Sequence, residues 1–134
     1  MTLADLRSDL VILACAISAG IHGALVPSHF DQGTGPGLGF AAATVALTGT
    51  VVWLTWRPAS FLALAAAAAT LSGLLASYAL AITTGVPVLH PHPEPVGGLA
   101  LATKAIEIVG LLAATSLLRW RVAITHPRPK GALT

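Results

Sequence analysis

The sequence predicts an all-α membrane protein, an antiparallel four-transmembrane-helix bundle with N and C termini cytoplasmic. Three observations predict it. Hydrophobic residues make up 55% of the 134 residues and charged residues only 9%, against about 25% charged in soluble domains. So few charges do not coat a water-facing surface. Four apolar runs stand out, each close to the length of about 20 residues that crosses a hydrocarbon core. Every Lys and Arg outside the central parts of those runs falls on one side of the alternating path they trace.

A chain of this length has room for a single domain, and its mean hydropathy of +0.83 makes lipid its main solvent. The first span is expected at about residues 8–26. A charged start before an apolar run is also the pattern of a signal peptide. Here Asp5 and Asp9 flank a single Arg7, and the small residues Ala14-Cys15-Ala16 fall inside the run, not after it. The segment therefore reads as a retained helix. Cys15 is the only cysteine, excludes an intrachain disulfide, and reads as a small buried hydrophobe.

Pro27 and Pro36 predict a loop over residues 27–37 before the second span at 38–56. The run from Gly33 to Gly39 superficially matches a phosphate cradle. It follows no strand, contains Pro36 and opens a lipid-embedded helix, so it reads as a flexible turn. The third span is expected at 60–86 and carries Ala65 to Ala69 in sequence, then Ser72, Gly73, Ala76 and Ser77. Such small residues let helix backbones approach closely in lipid. Pro87, Pro91, Pro93 and Pro95 mark a second outer loop, followed by the fourth span at 96–118 and a short cytoplasmic tail at 119–134.

Orientation follows from charge. Arg7, Arg57, Arg119, Arg121, Arg128 and Lys130 share one side, and the loops at 27–37 and 87–95 contain neither Lys nor Arg. The positive-inside rule makes the basic side cytoplasmic, and Trp53, Trp56 and Trp120 fall at that boundary as an interfacial belt requires. The net charge of +2 is spread singly over helix ends and tail, unlike a phosphate-tracking surface. Nucleic acid is not an expected partner. The lipid bilayer is, and the plasma (inner) membrane is the expected location.

Two constellations carry chemistry. The outer loops bring His29, Asp31, His90, His92 and Glu94 to one face. Imidazole and carboxylate together suit copper or zinc, and alternating prolines stiffen the second loop. The plainer reading is a wet loop shaped by prolines, and no established metal spacing is matched. The second constellation is intramembrane: His22 on the first span, Tyr78 on the third, and Lys104 and Glu107 on the fourth, with Thr44 and Ser77 near the same level. At about 1.5 Å per residue, His22, Lys104 and Glu107 lie roughly 10–15 Å below the outer surface. Charged groups rarely face hydrocarbon. Lys104 and Glu107, three apart, share a helical face, as do His22 and His29, seven apart. The column reads either as a ligand, proton or metal site open to the outside, or as a salt bridge that sets helix register.

His22, the run Pro27-Ser28-His29-Phe30 and the run Glu94-Pro95-Val96-Gly97 ahead of a span with Lys104 and Glu107 carry a resemblance. The pattern, over most of the chain, resembles small four-span integral membrane proteins of high-GC actinobacteria. The resemblance implies the same topology and singles out the same histidines. It implies no reaction.

Four short spans leave little room for a catalytic centre, and no Ser/His/Asp or Cys/His nucleophile set is evident, so the expectation leans away from an enzyme. The leading expectation is a non-catalytic accessory subunit of a larger membrane enzyme complex, of the respiratory or copper-dependent monooxygenase type, with other membrane subunits or its own copies as partners. The alternative is a free-standing protein that binds or delivers copper or zinc through the outer His/Asp/Glu cluster. A small transporter formed by oligomerisation has the polar column in its favour, but no polar path continues to the cytoplasm.

Overall fold

A computed structural model describes residues 2–58, 60–85, 93 and 95–125. The described residues form four helices, α1 (Leu3–Gln32), α2 (Thr34–Trp56), α3 (Phe61–Thr83) and α4 (Gly98–Thr125). All four are long and apolar enough to cross a membrane. Backbone N–H and C=O groups have no water to bond in lipid, so a helix is the one way for a lone segment to satisfy them.

The helix starts are set by local chemistry. Thr2 and Asp5 form a capping box in which Thr2 Oγ1 accepts from the Asp5 amide at 3.2 Å and Asp5 Oδ2 accepts from the Thr2 amide at 2.7 Å. Ser60 caps α3 by accepting from the Ala63 amide at 3.2 Å.

The connection between α1 and α2 differs from the loop expected over residues 27–37. Helix α1 continues through Pro27 to Gln32, α2 begins at Thr34, and Gly33 alone separates them. Pro36 sits in the first turn of α2, where an amide has no intrahelical acceptor and its loss costs nothing. Pro27 is tolerated because a membrane helix can re-satisfy a freed carbonyl locally. The direction change falls on Gly33, whose φ of 152° is backbone that side chains rarely allow. At about 1.5 Å per residue, the 30-residue α1 spans about 45 Å, longer than the roughly 30 Å hydrocarbon core. Helix α4 likewise runs past residue 118, the expected end of the fourth span.

Each helix packs on its sequence neighbours and α4 closes back on α1, so the four form a ring with α1 and α2 in most extensive contact. The dry core fills one end of this bundle. Val11 and Cys15 of α1, Leu47 and Leu54 of α2, Leu64 and Leu71 of α3, and Ala114 and Leu117 of α4 form a continuous buried cluster. Cys15 is a buried free thiol, as its apolar setting suggested. Close approach is enforced by Gly110, where a Cβ would stand 2.6 Å from that of Ala14. Outside, large apolar side chains such as Leu13, Val45, Leu62 and Leu112 are more than half exposed. A surface of that kind is suited to lipid.

Candidate functional site: a cavity at one end of the bundle

The end of the bundle away from the apolar core is hollow. A cavity of about 390 Å³ is lined by one face of each helix, drawn from within residues 21–29 of α1, 36–43 of α2, 74–81 of α3 and 99–104 of α4, with Pro95 and Gly97 also in its lining. Its size falls in the range of roughly 300–1,000 Å³ typical of small-molecule sites. Of the sequence-derived candidates, His22, His29, Tyr78 and Lys104 line it.

Behind the Lys104 wall lies Glu107, fully buried on α4. Its two carboxylate oxygens have different partners. Oε2 accepts from Lys104 Nζ at 2.5 Å, within the same helix, and Oε1 accepts from Ser18 Oγ of α1 at 2.7 Å. The i,i+3 spacing makes the ion pair a local event, whereas the Ser18 bond joins residues 89 apart in sequence. Lys104 is 13% exposed against 0% for Glu107, so the ammonium is the member of the pair that faces the cavity. It also lies over the Tyr78 ring, 5.5 Å from its centroid, a cation–π placement.

Ser18 carries the network to His22. The Nδ1 of His22 lies 2.9 Å from the Ser18 carbonyl oxygen and 3.3 Å from its Oγ. A carbonyl oxygen can only accept, so Nδ1 carries the proton. In the neutral ring Nε2 is then left as an acceptor. His29 repeats the arrangement one face-repeat later, with Nδ1 donating to the Leu25 carbonyl at 2.8 Å. The Phe40 ring of α2 stacks on His29 with centroids 3.5 Å apart and tilts against His22 at 5.2 Å. The two imidazoles and the phenyl ring thus form one aromatic wall. On the facing side the Tyr78 hydroxyl is buried and has no hydrogen-bond partner among the described residues.

The outer cluster proposed from sequence is only partly placed. Asp31 is exposed near the end of α1, while His29 is half-buried against Phe40. His90, His92 and Glu94 lie outside the described residues. Among the described residues no group of three His, Cys, Asp or Glu side chains is arranged to hold a metal ion.

Sequence reasoning missed Ser18 and Phe40. Ser18 was detectable, since it stands one helical turn before His22 on the face that also carries His29. Phe40 had no such signal, because its role depends on how α2 packs against α1. Thr44, expected at the level of His22, bonds the Phe40 carbonyl at 2.8 Å and packs near Gly23.

No protein-family model, no curated protein and no solved structure matches this chain.

Proposed function

We propose that this chain is a small-molecule-holding, non-catalytic subunit of a larger plasma-membrane enzyme assembly, of the respiratory or copper-dependent monooxygenase type. Its spans run antiparallel with both termini in the cytoplasm, and the cavity faces the outer half of the bilayer. The observation that carries this reading is the cavity of about 390 Å³ with the Lys104–Glu107 pair in its wall. A pair that only set register would be better packed than hollow, since an intramembrane charge is expensive unless a function retains it.

Other features support the finer points. Gly23 meets Thr44 and Gly37 lies against Phe30, contacts that fit reversed directions for α1 and α2. Trp56 and Trp120 are exposed, near Arg57, Arg119 and Arg121, which suits the cytoplasmic interface. Gly20, Gly49 and Gly73 face open space, where a neighbouring membrane helix can approach closely. The resemblance to small four-span actinobacterial proteins fits the same topology.

The test is purification in mild detergent, followed by mass spectrometry of co-purifying proteins and small molecules. The reading expects a stoichiometric protein partner. It also expects a bound small molecule that is lost when Ala100→Phe fills the cavity. A lone chain with identical small-molecule content in both forms would remove this function.

One observation favours a second reading, copper or zinc binding. Both His22 and His29 give their Nδ1 proton to a backbone carbonyl, the arrangement that commonly orients a metal-binding imidazole through Nε2. His90, His92, Asp31 and Glu94 are the further ligands the sequence offers. A coordinating imidazole must be neutral, so affinity for Cu(II) or Zn(II) would fall as acid protonates these rings. Equal metal uptake by the native chain and His22→Ala/His29→Ala would dismiss this reading.

A further inference from the structure

Resting on the cavity reading above, we infer that the cavity takes a neutral, flat, lipid-soluble carbonyl compound of the quinone class. Charge decides the first property. Lys104 and Glu107 cancel one another, and among the described residues the other titratable side chains at the cavity are His22, His29 and Tyr78. A carboxylate or ammonium ligand would therefore leave an uncompensated charge inside the bundle, which low-dielectric surroundings penalise heavily.

The hydrogen-bonding groups decide the second. The wall from α3 and α4 offers donors, namely the Tyr78 hydroxyl, unpartnered among the described residues, and the ammonium protons of Lys104 beyond the one given to Glu107. The wall from α1 offers acceptors, the Nε2 atoms of His22 and His29, because both Nδ1 atoms already donate to carbonyls. In a quinone the oxygen at one edge accepts from the α3–α4 donors. The oxygen at the other edge, also an acceptor, gains a bond to a histidine Nε2 only once it is the hydroxyl of the quinol.

Shape and access decide the rest. Phe40 and His22, tilted 35° with centroids 5.2 Å apart, give the cavity an aromatic flank for a flat ring, while the Phe40 face toward His29 is already taken by the stacked imidazole. Leu25 and Leu74 add apolar lining, and Leu99 is both a lining residue and 55% exposed on the outside of the bundle. An apolar edge of this kind admits a molecule that partitions from lipid.

The test uses purified protein in lipid nanodiscs, titrated calorimetrically with three probes of similar ring size: 2-methyl-1,4-naphthoquinone, 2-naphthoate and naphthalene. The quinone is expected to bind saturably, with 2-naphthoate and naphthalene at least about tenfold weaker. Removal of one hydroxyl donor by Tyr78→Phe is expected to weaken the quinone about tenfold and leave naphthalene unchanged. Ala100→Phe and, separately, Ala43→Phe fill the cavity and should abolish quinone binding with the thermal transition retained. If naphthoate or naphthalene binds as tightly as the quinone and is lost in both filled variants, the ligand class is wrong and the cavity reading stands. If the filled variants bind every probe as the native chain does, both fail. Absence of saturable quinone binding to the native chain also overturns the inference.

Discussion

Ser18 of α1 donates its hydroxyl proton to Oε1 of Glu107 on α4 at 2.7 Å, tying the first and last helices together through a fully buried carboxylate. The two residues stand 89 apart in sequence, and no local spacing foreshadows their bond. Ser18→Ala removes the donor and leaves a buried carboxylate oxygen unsatisfied. The expected loss is about 1–3 kcal/mol, read as a lowered thermal transition in detergent, with Ser18→Thr retaining most of the native value. A transition in Ser18→Ala unchanged from native would mean that the hydroxyl does not hold Glu107.

The ion pair behaves as a unit. Glu107→Leu strands the Lys104 ammonium and is expected to cost about 3–5 kcal/mol, whereas Lys104→Leu/Glu107→Leu together should cost far less. A double-mutant cycle of thermal stability measures the coupling. Strict additivity would show that the two side chains do not interact.

Glycines at different places in the packing respond oppositely to one methyl group. Gly110→Ala drives a Cβ against Ala14 and Leu71 at the α1–α3–α4 contact, an overpacking cost of about 1–3 kcal/mol. Gly73→Ala meets nothing within 4 Å and should stabilise α3 by about 0.5–1 kcal/mol through its helix preference. Equal responses in a thermal melt would contradict the close α1–α4 approach.

Gly33 carries the whole turn between α1 and α2. Its φ of 152° is strained for any other residue, so Gly33→Ala is expected to cost about 1–3 kcal/mol. Lengthening the turn with two inserted glycines after Gly33 should recover most of that loss in the same unfolding assay.

Topology is testable by labelling in a Cys15→Ala background. Ser28→Cys should react with an impermeant thiol reagent from outside intact cells, and Pro58→Cys only after permeabilisation. Labelling of Pro58→Cys from outside would reverse the proposed orientation.

The sequence by itself determined that there are four helices able to span a membrane, because lipid imposes that requirement locally. A run of about 20 apolar residues has one way to satisfy its own backbone. The Lys104–Glu107 pair was equally legible, since a spacing of three puts both groups on one helical face. Local rules also misled, for Pro27 reads as a helix end and stands inside α1. Only the tertiary structure decided that Ser18 reaches Glu107, that Phe40 joins His22 and His29 in one aromatic wall, and that the polar groups surround a cavity instead of packing shut. The physical reason is that these relationships depend on the rotation and spacing of separate helices. In lipid, helix rotation and spacing are set by close packing and by hydrogen bonds between spans, neither of which is encoded in any one segment.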